Sequence, residues 1–221
     1  MSKEAGKLSS DVNNYSYILD TSHKTSVMSL IIDSKKLNKV NNNTSLNSKV
    51  QERGYVDYFD KEGEGFSINV GLKLFGGSTR SYKKKSYEIK FKKKYGDAKL
   101  KYKVFKNVDS SVFDSLVLRT GSQDEFQYND QITVIKDVVA TSLMGKYTDV
   151  DVQDYVSIVL YINGKYWAIY FIREKVDETF VSNHYNVNAT KTDTSILRID
   201  GEVKSGTDKK YNSMISFINS N

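Results

Sequence analysis

The alternation of apolar and polar residues predicts that the first half of the chain is built from β-strands. Its clearest stretch is residues 66–75, where every second side chain is large and apolar. A period of two puts these side chains on one face, which is typical of a half-buried strand. Weaker patterns of the same kind predict further strands over residues 26–32, 51–59, 85–93 and 113–118.

The strongest local pattern predicts a β-hairpin over residues 155–172. Two apolar runs, 156–162 and 166–172, flank the dipeptide Asn163-Gly164. Both central residues of a type I′ turn have positive φ, which Asn and Gly tolerate better than other residues. We therefore expect a buried hairpin near the centre of the sheet.

Apolar residues with helical spacing predict a helix over residues 129–147. Asn129 or Asp130 is expected to cap its first turn, and Gly145 marks its end. The predicted apolar stripe consists of Ile132, Ile135, Val139, Ser142 and Leu143. Shorter patterns predict helices over 177–185 and 209–218, a strand over 195–199 and a loop over 35–48.

The patterns indicate one domain. Residues 1–24 are polar and aperiodic and are expected to form a loose leader, whereas residues 25–221 show no repeat or Pro/Gly-rich linker. Because the chain ends directly after an amphipathic helical pattern, we expect the domain to be incomplete at its C-terminus. No apolar run is long enough for a membrane span, and no signal peptide is visible.

Composition narrows the chemistry. The 221 residues include no Cys and two His, which excludes disulfides, thiolate metal sites and His-rich metal sites. The net charge of +6 favours polyanionic partners such as nucleotides, acidic peptides or nucleic acid. The lack of Pro, with abundant Lys, Asn and Ser, indicates a low-GC, Firmicute-like codon bias.

A Gly-rich and basic stretch covers residues 76–87. Such a turn can present backbone N–H groups to an anion. Arg80 can bind phosphate oxygens through its fork, and Lys84 or Lys85 can add point charges. The stretch lacks the Gly-Lys-Ser/Thr ending of a Walker loop. The alternative is a basic β-hairpin whose lysines are simply solvated.

Arg119 lies at the end of an apolar strand pattern, before Asp124 and the predicted helix residue Asp137. A charged residue in this position is usually anchored by a carboxylate. One interpretation is therefore a structural ion pair between Arg119 and an aspartate. The other interpretation places Arg119 near a phosphate group.

A third charged cluster follows the predicted hairpin. Glu174 is a candidate for holding a phosphate-binding lysine in place, as a glutamate does in protein kinases. The alternative is a strand-end cluster of Glu174, Lys175 and Asp177 that faces water. His184 is expected to pack or cap rather than to bind a ligand.

In their order and spacing, these stretches resemble the motifs of the CotH kinase family, the spore-coat protein H-like atypical protein kinases. The matching stretches are residues 76–87, 116–119, 136–137 and 161–175. Three positions depart from the family pattern: Lys83 replaces Pro, Lys136 replaces Arg and Ala168 replaces Gly. The change at Lys136 keeps a cation but loses the bidentate fork.

The resemblance implies an α+β fold, mostly an antiparallel twisted sheet with packed helices and ATP held between. It also implies a protein kinase that uses ATP with Mg²⁺ or Mn²⁺ and phosphorylates Ser residues of spore-coat or surface proteins. The implied location is accordingly the spore coat or the cell surface. The implied phosphate and scaffold cations are Arg80, Lys84, Lys85 and Arg119, and the implied companion carboxylate is Glu174.

The metal-binding aspartates of the family are expected downstream of Asn221, so we expect this chain alone to be inactive. Two other functions remain open at this point. One is a non-catalytic spore-coat or cell-surface protein whose many Tyr and Phe residues serve interfaces. The other is a nucleic-acid-binding module using residues 83–94, which the absence of a recognised motif disfavours.

Overall fold

The predicted strands close into a barrel in the computed structural model, which describes residues 14–19, 24–122, 124, 133–199 and 201–220. Within these residues the strands are β1 (Ser26–Ile31), β2 (Glu52–Phe59), β3 (Gly65–Phe75), β4 (Ser86–Lys90), β5 (Leu100–Lys101), β6 (Val112–Phe113), β7 (Ser115–Arg119), β8 (Tyr155–Ile162), β9 (Lys165–Arg173), β10 (Ile196–Leu197) and β11 (Val203–Ser205). The helices are α1 (Ser34–Asn42), α2 (Lys136–Tyr147), α3 (Glu178–Tyr185) and α4 (Lys209–Ser220).

Seven strands form the barrel in the order β1-β2-β3-β4-β7-β9-β8. Its ladders are antiparallel apart from the parallel pairing of β1 with β8. This parallel ladder runs from Ser26 opposite Ile158 to Leu30 opposite Ile162, and it closes the barrel. Two small antiparallel sheets, β5 with β6 and β10 with β11, lie outside the barrel ladder.

The predicted fold class, a mostly antiparallel twisted sheet with packed helices, is therefore wrong. The sheet closes on itself, and its core lies inside the barrel. Among the described residues, α1, α2 and α3 bury one side chain each, Val40, Val138 and Phe180, and α4 buries none. Alternation along a strand shows that one face is buried, but it does not show what covers that face.

The core is formed by alternate residues of the barrel strands together with residues between β4 and β7, such as Phe105 and Phe113. Full burial of one aliphatic side chain contributes about 1.5–3 kcal/mol, so this interior is the main source of stability. The hydroxyls of two core tyrosines are satisfied, since Tyr87 donates to Asn41 Oδ1 at 2.9 Å and Tyr170 donates to the Lys85 carbonyl at 2.8 Å. Fully buried aliphatic residues include Met28, Leu30, Val56, Val70, Leu72, Ile89, Leu116, Leu118, Ile158, Leu160 and Ile172.

Helix α1 lies in the stretch that was predicted to be a loop. Asp33 caps it by accepting a hydrogen bond from the Lys36 N–H at 3.0 Å. The helix adds Val40 to the barrel core. The prediction failed because the stretch is rich in Asn, Ser and Lys, and within the helix only Leu37 and Val40 interrupt its polar pattern.

Helix α2 begins at Lys136, later than predicted, and residues 129–132 with the expected caps lie outside the described residues. Asp124 takes the capping role: its side chain accepts from the Thr133 N–H at 3.1 Å and the Lys136 N–H at 3.2 Å. The described members of the predicted stripe, Ile135, Val139, Ser142 and Leu143, are exposed. Val138 is buried instead, so the predicted orientation of this helix is wrong.

The predicted hairpin is confirmed. Strands β8 and β9 pair antiparallel, and Asn163 and Gly164 between them have φ values of 51° and 76°. Asn163 also binds the end of β1, since its N–H donates to the Leu30 carbonyl and its Oδ1 accepts from the Ile32 N–H, both at 2.9 Å. The turn therefore helps to fasten the hairpin to the strand that closes the barrel.

The predicted strand over 195–199 and helix over 209–218 are confirmed by β10 and α4. Helix α3 likewise confirms the prediction over 177–185, with the Asp177 side chain accepting from the Thr179 N–H at 3.0 Å. In the part of the chain that the structure describes, no helix is both long and apolar enough to cross a membrane.

We predict that Asn163→Ala lowers the free energy of unfolding by about 2 kcal/mol, because it leaves the Ile32 N–H unpaired and strains a residue with positive φ. Asn163→Gly keeps the turn geometry and should cost about 1 kcal/mol. Urea denaturation measures both values, with the exposed neighbour Lys165→Ala as the control. Equal stability of Asn163→Ala and the unaltered protein would show that the turn does not hold β1.

Candidate functional site

Charged side chains collect on the outer surface of strands β3, β4, β7 and β9. Lys73, Glu88, Val117 and Arg173 are successive cross-strand partners in this wall. Directly opposite residues lie on the same side of a sheet, and their sequence neighbours here point into the core. We call this surface the cationic face and define it as Lys73, Lys90, Arg119, Arg173 and Lys175 with the carboxylate of Glu88.

Glu88 is the centre of an ion-pair network on this face. Its Oε1 lies 3.0 Å from the Lys175 ammonium and 3.2 Å from the Lys90 ammonium, and Lys175 also lies 3.2 Å from Asp177 Oδ2. Burial acts to raise the pKa of the Glu88 carboxyl, but Lys175 and Lys90 outweigh burial and hold this pKa below its ordinary value. Burial acts to lower the pKa of Lys175, but Glu88 and Asp177 raise it above its ordinary value.

Lys73 is the half-buried cation opposite Glu88. Among the described residues its ammonium forms no ion pair or hydrogen bond. Burial lowers the pKa of Lys73, and the nearby Glu88 carboxylate opposes this shift without cancelling it. An unpaired cation in a partly desolvated position is suited to an anionic ligand.

Asp137 on helix α2 binds two arginines of the face. Its Oδ2 lies 3.2 Å from Arg119 Nε and also accepts from a terminal nitrogen of Arg173. Arg173 is 1% exposed, whereas the Arg119 side chain is 32% exposed. The ion pair expected for Arg119 is therefore present, and Asp137 rather than Asp124 is its partner.

The Gly-rich turn lies at the end of β3 beside this face. Gly76 has a φ of 104°, which favours glycine. Arg80 is buried and donates to the Gly76 carbonyl at 2.6 Å and the Ser45 carbonyl at 2.9 Å, so it fastens the turn to a distant loop. Lys85 donates to the Arg80 carbonyl at 2.6 Å, and burial lowers the pKa of Lys85. Lys84 is exposed.

Within the described part of the chain, Glu174 pairs with His184 and with no lysine. Its carboxylate accepts from the Asp154 N–H at 3.0 Å and lies 3.0 Å from His184 Nε2. Burial raises the pKa of Glu174, and these two contacts only partly offset the shift. His184 stacks on Phe180 with a ring-centroid distance of 3.9 Å, which agrees with a packing residue. On the cationic face, the glutamate that pairs with lysines is Glu88.

Sequence reasoning missed three functional candidates: Lys73, Glu88 and Arg173. In the sequence, Lys73 and Glu88 differ from their neighbours only as charged residues at outward positions of alternating strands. That pattern is usual for a solvated face, so it did not single them out. Arg173 ends the longest apolar run of the hairpin, but nothing local shows that it is fully buried.

Most of the chain matches a known protein family. A family model described as CotH kinase protein matches residues 72–220. The chain belongs to the CotH kinase family. A search of curated proteins found no match. The CotH match runs from β3 to α4 and so includes the whole cationic face and the hairpin, which confirms the resemblance seen in the sequence.

Kinase families generally use a nucleotide and a divalent metal. The cationic face fits the phosphates of a nucleotide, because in the described chain the ammonium of Lys73 has no partner and the terminal nitrogens of Arg119 have none. The ion pair of Arg119 there is formed by its Nε, at 3.2 Å from Asp137 Oδ2 and without a hydrogen bond. For the divalent metal, the described part of the chain shows no comparable set of side chains. Among the described residues there is no group of three or more His, Cys, Asp or Glu side chains that could hold a metal ion.

We predict that Glu88→Gln lowers the free energy of unfolding at neutral pH by about 2 kcal/mol, because it removes the charge shared by Lys90 and Lys175. The folded-state pKa of Glu88 is depressed, so its stabilisation is complete above the pKa of an unfolded-chain Glu, about 4.3. It is lost as the pH falls through the depressed pKa.

Urea denaturation of both proteins between neutral and acidic pH measures this difference. The exposed Glu62→Gln, which removes a surface pair with Lys61, is the control and should change stability by less than about 0.5 kcal/mol. A difference for Glu88→Gln that stays constant at acidic pH would contradict the electrostatic role.

Proposed function

We propose that this chain forms the nucleotide-binding part of a CotH-family protein kinase, with the phosphates of ATP bound on the cationic face. The proposal rests on one observation: two side chains of the cationic face have cationic nitrogens without a protein partner in the described chain. Lys73 has no partner there, and the two terminal nitrogens of Arg119 have none. Charge-assisted hydrogen bonds from such groups to phosphate oxygens are stronger than neutral ones.

The order of the elements supports the same function. In protein kinases a Gly-rich loop covers the phosphates, and a strand lysine pairs with a helix glutamate. Here the Gly76 turn joins β3 to β4, and Arg119 at the end of β7 pairs with Asp137 on the following helix α2. The cation and the carboxylate differ in type from the kinase pair, but their placement on strand and helix is the same.

The family resemblance also implies roles for Lys84, Arg80, Lys85 and Glu174, and in this proposal they contribute to phosphate binding to different extents. Lys84 is exposed beside the Gly-rich turn and is free to approach a phosphate. Arg80 and Lys85 support the turn through backbone carbonyls, so their contribution to phosphate binding is indirect. Glu174 supports the segment after β9 through His184 and the Asp154 N–H.

Phosphate transfer is the finer part of the proposal. By family membership, the reaction would move the γ-phosphate of ATP to Ser residues of a spore-coat or surface protein with Mg²⁺ or Mn²⁺. Metal ions neutralise much of the charge that develops in this transfer. Because the described residues contain no group of three or more side chains that could hold a metal ion, the proposal is tested by ATP binding and not by phosphate transfer.

Isothermal titration with ATP, with and without Mg²⁺ or Mn²⁺, tests the proposal. Lys73→Met and Arg119→Met should each weaken ATP binding about tenfold, since each removes a charge-assisted contact. Lys165→Met is the matched control, because Lys165 is an exposed lysine at the start of β9 away from the face. Binding that is absent, or unchanged in both variants, would overturn the proposal.

A non-catalytic structural role is favoured by a separate surface. Tyr166 and Trp167 of the hairpin are 60% and 38% exposed. A cavity of about 670 Å³, lined by residues that include Tyr17, Val27 and Tyr161, lies beside β1 and the hairpin turn. Assembly that depends on protein concentration and is unaffected by ATP, measured by sedimentation, would favour this role over the kinase.

A further inference from the structure

Helix α2 is attached to the barrel by few apolar contacts. Val138 is its buried residue within the described chain. The apolar side chains of Val139, Leu143 and Met144 are between 44% and 53% exposed. Hydrophobic burial of α2 is therefore limited to Val138 and to part of these three side chains. The position of α2 on the barrel depends also on its polar contacts.

Arg173 supplies these contacts from the end of β9. One terminal nitrogen donates to Asp137 Oδ2, and the other lies 3.4 Å from Thr141 Oγ1. Asp137 and Thr141 are four residues apart, so they lie one above the other on the same side of the helix. Arg173 also donates to the Gln153 carbonyl at 3.2 Å, in the segment that leads into β8. One buried guanidinium thus joins three parts of the chain.

The same oxygen of Asp137 that binds Arg173 also lies 3.2 Å from Arg119 Nε. Arg173 is fully buried and is too enclosed to touch a ligand on the cationic face. Arg119 is partly exposed, and its terminal nitrogens bind no other described residue. Arg173 therefore holds the Asp137 carboxylate, whereas the terminal nitrogens of Arg119 stay available for a ligand.

We propose that Arg173 is a positioning residue for phosphate binding, which acts by holding Asp137 so that this carboxylate orients Arg119. The inference rests on the proposed function, because it takes the phosphates of ATP as the ligand of Arg119. Without Arg173, Asp137 is free to form a bidentate pair with Arg119 and to occupy its terminal nitrogens. Loss of Arg173 then weakens ATP binding although Arg173 does not touch ATP.

The test is Arg173→Lys, which keeps the charge but loses the fork. We expect ATP to bind at least about fivefold more weakly. Hydrogen exchange should become faster in α2 and stay unchanged in β1, β2 and β3. The control is Arg198→Lys, which alters an exposed arginine paired with Glu202 and should change neither measurement.

A double-mutant cycle separates positioning from a general structural role. If Arg173 acts through Arg119, then Arg173→Lys should cause no further loss of ATP binding in an Arg119→Met background. Equal losses in both backgrounds would overturn the inference. So would Arg173→Lys with unchanged ATP binding in a protein whose unaltered form binds ATP. Absence of ATP binding by the unaltered protein would instead overturn the proposed function.

If Arg173→Lys does not fold, a milder variant tests the same inference. Thr141→Val removes the hydroxyl that Arg173 contacts on α2 and keeps the side-chain shape. It should speed exchange in α2 and weaken ATP binding in the same direction, by a smaller factor. Unchanged exchange in α2 for Thr141→Val, in a protein where Arg173→Lys does not fold, would overturn the inference.

Discussion

The closure of the barrel by the parallel ladder of β1 and β8 is the constraint on which the rest of the structure depends. It joins strands that lie far apart in the sequence and encloses the apolar side chains of seven strands. Once the interior is filled, the alternate residues of every strand must face outwards. The cationic face is the outward surface of four adjacent strands, so it exists in this form because the sheet closes and packs its core inside.

Two carboxylates organise the cations on that outward surface. Glu88 pairs with two lysines, and Asp137 pairs with two arginines. Each carboxylate carries one negative charge but contacts two cations. The cationic face therefore keeps a net positive charge. A surplus of this kind is costly to desolvate without an anionic partner. In a member of the CotH kinase family, the phosphates of a nucleotide are the natural candidate.

Predictions from sequence succeeded where the decisive interaction is local. The Asn163-Gly164 turn and its hairpin were predictable, because positive φ and neighbouring apolar runs involve adjacent residues. The pairing of Arg119 with a nearby aspartate was one of two interpretations of the sequence, and the structure shows it with Asp137. Helix α1 was missed because its cap and its two apolar residues are hidden in a polar stretch. Helix α2 was predicted with the wrong face inward, because tertiary polar contacts and not its apolar stripe orient it.

By itself, the sequence determined the barrel strands, the hairpin, most helix positions and the family, since these follow from residue spacing and from motifs in fixed order. Only the tertiary structure decided that the sheet closes, that Glu88 and not Glu174 holds a lysine, and that Arg173 is buried against Asp137. The physical reason is that these contacts join residues that are far apart in the sequence and lie on different elements. Strand order and register bring them together, and neither is encoded in the local pattern of any single strand.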